Sequence, residues 1–284
     1  MAARRKPWRV PDRLWLEVEP LIPKVERRFR HPGRRRHDDR ACLEGILYVV
    51  RYAVPWAELP RVEGWPSGQT CWRRFHEWQR AGVWERLLER MQELLEQEGL
   101  ADWSRAIVDA SLVDAKKGAR RPAAPSGAAS RFHLAVEAGG APFAIRIGPA
   151  NENERRQLLP LVDELLERGL RPAELWADRG YASAELEAQL KRRGIAPRIS
   201  RPRRKGEPIP AGTPTRKVWR GRRHRIKGAD PQGRHRWQVE RTNSWLRSWR
   251  RVATRWERRP ELWQAVIEIA SALTIYRMLE PSLC

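Results

Sequence analysis

The sequence predicts an α/β chain, with a catalytic-type domain built on a mixed sheet flanked by helices and preceded by an all-helical region. Three observations predict it. Residues 1–100 carry their apolar side chains at helical spacing. At Arg105 the period changes to short apolar runs bounded by turn residues. From there the order is strand, strand, strand, helix, strand, helix, strand, helix, helix, with hairpins first and helical crossovers later.

In the amino-terminal region, Leu14, Trp15 and Val18 begin a short helix that Pro20, Pro23 and the basic run Arg27 to Arg36 interrupt. Asp38-Asp39 can cap a helix with Leu43, Ile46, Leu47 and Val50 on one stripe. Turns are expected at Pro55–Pro60 and at Gly64–Gly68. Ser67 or Thr70 then opens a helix carrying Trp72, Phe75, His76 and Trp78, which Gly82 stops before an amphipathic helix from Val83 to Leu95. Helix, short turn, basic-aromatic helix is compatible with a helix-turn-helix DNA-binding domain over residues 1–100. Thr70 to Arg80 would be the reading helix, with Arg73, Arg74 and Arg80 meeting phosphates or bases. Many helical bundles share this pattern.

Ala106-Ile107-Val108-Asp109 reads as a buried strand ending in a carboxylate, with Ser111 to Asp114 as a turn. Residues 116–130 form a basic loop, and Phe132–Val136 and Phe143–Ile147 flank the hairpin signal Ala138-Gly139-Gly140-Ala141-Pro142. Helical spacing returns from Leu158 to Leu166 and stops at Gly169; Glu174 to Asp178 is a second strand ending in a carboxylate. A helix over 183–193 and a strand over Ile195–Ile199 follow. Residues 200–235 are rich in Pro, Gly, Arg and Lys and read as an exposed insert that is partly ordered only on a nucleic acid. A helix around Glu240 and a closing helix with Leu262, Val266, Ile269 and Leu273 on one stripe complete the chain. Residues 101–284 thus match the layout of a ribonuclease-H-like domain.

The formal net charge is +22, from 57 Lys+Arg against 35 Asp+Glu, which calls for a polyanionic partner, most simply nucleic acid. Eight of the 57 are lysines; arginine forks onto phosphate, although a GC-rich genome also favours it. Fifteen tryptophans suffice for a core or for stacking on bases. Cys42, Cys71 and Cys284 are too scattered for a disulfide framework or zinc site, and the six histidines lack metal-site spacing. The basic amino terminus is followed by no apolar stretch, and no run is long enough to span a membrane, so a soluble, cytoplasmic, nucleoid-associated protein is expected.

Asp109 and Asp178 each end a predicted strand, so parallel neighbours would bring them to one sheet edge. On the following helix, Arg236, Glu240, Asn243 and Arg247 fall at i, i+4, i+7 and i+11, one face, while Trp245, Trp249, Val252 and Trp256 repeat on another that suits packing. Three carboxylates without histidine or cysteine suit a hard cation, Mg²⁺ or Mn²⁺, and flanking arginines suit phosphate.

Three strings carry a resemblance: Val108-Asp109-Ala110-Ser111, Ala177-Asp178-Arg179-Gly180-Tyr181, and Arg236-Trp237-Gln238-Val239-Glu240-Arg241-Thr242 with Trp245-Leu246. Together they resemble the signatures of DDE-type transposases of bacterial insertion sequences, in particular the insertion-sequence-five family. Arg250-Arg251-Val252 and Arg255-Trp256-Glu257-Arg258 are similar to the stretch that follows the family's glutamate. Val54 to Pro60 and Trp72 to Trp78 are similar to its helical DNA-binding region.

The resemblance implies that Asp109, Asp178 and Glu240 are catalytic and bind two Mg²⁺ or Mn²⁺ ions. It implies DNA contacts from Arg236 and Arg247 and from the flanking Arg241 and Arg179, with Arg131 replacing a family lysine. Gly233 stands where a tyrosine is common, and Asn151-Glu152-Asn153-Glu154 where a His-Asp pair is common. The implied function is a DNA transposase, acting as a homodimer or larger assembly. It would bind the terminal inverted repeats of its own element, cut the strands and join the 3′-hydroxyl ends to target double-stranded DNA. A ribonuclease-H-like nuclease that cuts without joining, and a non-catalytic DNA-binding descendant of a transposase, stand as alternatives.

Overall fold

The computed structural model describes residues 9–26, 29–31, 33–116, 129–199, 215–217, 223–225 and 233–280. Its helices are α1 (Asp12–Val18), α2 (Asp39–Tyr52), α3 (Gly68–Arg80), α4 (Val83–Gln97), α5 (Arg155–Glu167), α6 (Ala184–Arg192), α7 (Gly233–Arg247), α8 (Arg250–Ala253) and α9 (Pro260–Leu279). Its strands are β1 (Arg105–Asp114), β2 (Ala129–Glu137), β3 (Pro142–Pro149), β4 (Glu174–Ala177), β5 (Ala196–Ile199), β6 (Thr215–Lys217) and β7 (Arg223–Arg225). The chain divides into two compact units: Met1–Gly99 with Leu112–Ser130 and Ser244–Cys284, and Leu100–Ser111 with Arg131–Asn243.

In the first unit the caps fall where the sequence places them. Asp38 Oδ1 accepts the Ala41 N–H at 2.7 Å to start α2, and Ser67, rather than Thr70, caps α3. Gly82, at φ +69°, makes the two-residue turn into α4. The connection from α2 to α3 is far longer than a tight helix-turn-helix turn. The closing helix was expected to bury one stripe; instead α9 buries every residue from Leu262 to Tyr276 except Gln264, with α4 packed along it. Around α8, Arg251 Nε meets Glu257 at 2.5 Å with both side chains 5% exposed, and Arg255 donates to Ser130 Oγ at 2.6 Å. The stretch that resembles the family after Glu240 is therefore an internal salt-bridged clasp.

The second unit holds a five-stranded sheet in the order β3-β2-β1-β4-β5. β1 runs parallel to β4, with Arg105 opposite Glu174 and Val108 opposite Ala177, and β4 runs parallel to β5. The β2–β3 hairpin turn is tied by the buried Glu137 carboxylate, which accepts N–H groups of Asp102, Gly139 and Ala141 at 3.1, 2.6 and 2.7 Å. Ile107, Val108, Phe132, Leu134, Phe143, Leu158, Leu161 and Leu175 form the core. This mixed sheet with a helical amino-terminal region is the α/β, ribonuclease-H-like layout that the element order predicts.

Two expectations change. Ser111 to Asp114 is not a turn: β1 continues through it, because buried Ser111 and Val113 alternate with exposed Leu112 and Asp114 at strand period. In the 200–235 insert, β6 and β7 form an antiparallel pair and α7 already begins at Gly233; the rest of that insert, and most of the basic loop 116–130, lie outside the described residues.

Candidate active site

The pairing of Val108 with Ala177 puts Asp109 and Asp178 side by side one step on, where the register of two adjacent parallel strands ends: Asp178 follows β4, whereas β1 runs on past Asp109 to Asp114. The Asp109 carboxylate is held from α7: Asn243 Nδ2 donates to Oδ2 at 2.8 Å, and Arg236 Nη2 lies 3.5 Å from Oδ1. Asp178 leaves β4 in extended conformation, and its Oδ1 accepts the Gly180 N–H at 2.7 Å. A Cβ at Gly180 would lie 2.5 Å from Glu154 Oε2 and 2.9 Å from Asp178 Oδ1, so the backbone here must approach two carboxylates closely. Glu240 is exposed on α7, three residues before Asn243.

Burial pushes the Asp109 carboxyl up to about 6; the Arg236 guanidinium and the Ala110 N–H oppose the rise, while the charges of Asp178 and Glu240 add to it. The fold therefore brings the three acids within electrostatic reach. Among the described residues, no three His, Cys, Asp or Glu side chains lie close enough to hold one metal ion jointly. The local contacts explain this: Asp109 is turned to Asn243 and Arg236, and Asp178 to its own turn. The donor set still fits a hard divalent cation. It is all oxygen, its charges repel one another in a partly dry site, and Asn243 Oδ1 is a buried oxygen with no hydrogen-bond partner among the described residues.

The arginines fare differently. Arg179 and Arg73 are exposed. Arg241 donates to Gly139 O and lies over the Trp237 ring at 4.7 Å. Arg247 donates to Leu112 O at 2.8 Å. Arg131 is bound to Glu154 Oε1 at 3.0 Å and to Glu152 O at 3.1 Å, so Glu154, in the stretch that replaces the family's His-Asp pair, anchors it. Arg74 departs from expectation: its side chain is 8% exposed and paired with Asp39 at 2.9 Å and Glu77 at 3.1 Å, so it faces inward. Trp245, expected to pack, is 39% exposed.

Three residues at this site have no role in the sequence analysis. Asn243 was placed only on the Arg236–Glu240 stripe, and its grip on Asp109 depends on a contact between residues 134 apart. Tyr181 is fully buried, with its hydroxyl 3.3 Å from His133 Nδ1. Burial, then the charges of Glu154, Asp109 and Asp178, raise the pKa of that phenol far above its ordinary value, so it stays protonated. His133 is kept neutral by burial. The signal for this pair is the phenol three residues after Asp178, on the same turn.

Comparison with known proteins agrees with this architecture. Residues 102–275 match the family model described as "Transposase DDE domain", and residues 10–88 the one described as "Putative transposase of IS4/5 family". The chain is 31% identical over 182 residues to the "Putative transposase for insertion sequence element IS402" of Burkholderia cepacia, covering 62% of this chain and 76% of that protein. It is 45% identical over 107 residues to an uncharacterized 16.2 kDa protein of insertion element IS402 from the same organism, covering 37% and 73%. Its fold is similar, at TM-score 0.51 and 11% identity over 96% of this chain and 74% of the other, to piggyBac transposase in a cryo-EM structure of its synaptic complex with hairpin DNA. With Asp109 and Asp178 side by side on β1 and after β4, and most of the chain matched, this protein belongs to the DDE-domain transposases, in the IS4/5 group.

Proposed function

We propose that this transposase binds the terminal inverted repeats of its own insertion sequence, cleaves the strands and joins the 3′-hydroxyl ends to target DNA, as a homodimer or larger assembly. The observation that carries the reading is the meeting of Asp109 and Asp178 at one sheet edge, with Glu240 in electrostatic reach. In this reading Asp109 and Asp178 hold two Mg²⁺ or Mn²⁺ ions and Glu240 completes the set. Bound there, the ions would supply Lewis acidity to the attacking hydroxyl and the leaving oxygen. Arg236 tempers the negative charge beside Asp109 and turns to phosphate when DNA enters; Arg179, Arg241 and Arg247 are further phosphate contacts in this reading. Residues 1–100 read the element ends through the exposed face of α3, where Gln69, Trp72, Arg73, His76 and Arg80 share one stripe. Arg74 and Arg131 support structure instead, since their guanidinium groups already hold carboxylates.

The test incubates the protein with supercoiled plasmid and short duplexes bearing free 3′-hydroxyls, with Mn²⁺, Mg²⁺ or EDTA. Joining of duplex to plasmid is expected with either metal, absent with EDTA, and reduced about a thousandfold or more in Asp109→Ala, Asp178→Asn and Glu240→Gln. Joining that survives Asp178→Asn would remove the triad assignment. Metal-dependent nicking without joining would favour a nuclease.

A further inference from the structure

Asn243 makes the shortest side-chain contact that Asp109 has among the described residues. A carboxylate can only accept, so the amide must point Nδ2 toward Asp109 and leave Oδ1 on its other side. The residue is 7% exposed, and that Oδ1 has no hydrogen-bond partner among the described residues. A leucine has the same branched shape and leaves no buried carbonyl unmatched, so packing alone does not account for an asparagine here.

The geometry around Asp109 gives it a use. The carboxylate stands within β1, one residue past the Val108–Ala177 pair where the β1–β4 register ends, and it can turn about its terminal torsion. Two donors seven residues apart on one face of α7 address its two oxygens. The Arg236 contact, at 3.5 Å, is too long to hold the carboxylate plane, whereas the Asn243 contact, at 2.8 Å, is a full hydrogen bond. A cation arriving at Asp109 would compete with Arg236 for Oδ1 and leave Oδ2 gripped by Asn243. The water it carries is a proton donor of the kind that Asn243 Oδ1 lacks.

We propose that Asn243 is a positioning residue, which holds the Asp109 carboxylate for a hydrated divalent cation and accepts a hydrogen bond from the cation's water. The proposal rests on the assignment of Asp109 as a metal ligand. It is tested by Mn²⁺ binding to the full chain without DNA, read from the free-ion electron paramagnetic resonance signal. Wild type is compared with Asp109→Ala, Asn243→Ala and Asn243→Leu, one smaller and one of the same branched shape, so that one variant remains folded by circular dichroism. Both Asn243 variants are expected to bind Mn²⁺ about 10-fold or more weakly than wild type, as for partners that orient metal ligands elsewhere. Wild-type affinity in a folded Asn243 variant, with binding lost in Asp109→Ala, would overturn the positioning role and leave the metal site intact. Equal binding by wild type and Asp109→Ala, or none by wild type, would overturn the metal-site assignment itself.

Discussion

His133 and Asp109 titrate in the same pH range with opposite consequences. Burial pushes the His133 imidazole down to about 4, whereas unfolded it would take a proton near 6.5. Between those values the unfolded chain binds the extra proton, so stability falls as pH drops from 6.5 to 4, by on the order of 3 kcal/mol. Asp109 is pushed up to about 6 from 3.8, so there the folded chain keeps the proton longer. Its contribution is present at low pH and is lost as pH rises from about 4 to 6, by a similar amount. The two terms offset in the wild type. Urea unfolding in EDTA is therefore expected to show little pH dependence from these groups in wild type, rising stability with pH in Asp109→Asn, and falling stability with pH in His133→Phe. Parallel profiles in all three would refute both environments. Neither shift could be read from the sequence: the strings around Asp109 and Asp178 mark candidate ligands, but burial and the donors from α7 arise only when distant residues pack.

At the scale of elements, the site depends on how α7 is docked. Arg241 and Thr242 directly follow Glu240 on the chain, and both reach the β2–β3 turn: Arg241 donates to Gly139 O, and Thr242 Oγ1 lies 2.5 Å from Gly140 O. Gly140 takes φ +95°, and a Cβ there would lie 2.7 Å from Arg241 Nη2 and 3.1 Å from Thr242 Oγ1. The hairpin was legible from Gly139-Gly140, and the helix from its period, but their mutual fit was not, because turn signals specify a local backbone and not the neighbour it accepts. The same limit hid the extension of β1, where exposed Leu112 looks like turn sequence until a strand is seen to present it outward. Gly140→Ala is expected to cost about 1–3 kcal/mol from backbone strain and, by displacing α7, to lower strand joining further. Gly169→Ala is the control: at φ +79° it carries like strain, but its Cβ would meet nothing within 4 Å. Its loss of stability should be comparable, and its joining activity should exceed that of Gly140→Ala when both are assayed folded. Equal activities would show that the turn does not position Glu240.

For the whole molecule, the net charge of +22 is the largest signal in the sequence, yet its arginines serve two ends. Arg73 and Arg74 are neighbours in composition and motif, but helical geometry turns Arg73 to solvent and Arg74 toward Asp39 and Glu77. Counting charges cannot separate them, since the separation depends on which helix face the core takes. DNA affinity gives the distinction a measurable form. Each phosphate neutralised releases counterions, so a chain making roughly 6–10 such contacts loses about 10³–10⁵ in affinity between 50 and 200 mM salt. Arg73→Ala is expected to weaken binding across sequences and to reduce the slope of log affinity against log salt by about one. Arg74→Ala is expected to leave that slope unchanged while lowering stability by about 2 kcal/mol, because Asp39 and Glu77 lose their shared cation. Filter binding across a salt series with thermal melting of both variants checks the pair. A slope reduced by Arg74→Ala and not by Arg73→Ala would mean that α3 meets DNA through the opposite face, and the assignment of end recognition to its exposed stripe would fall with it.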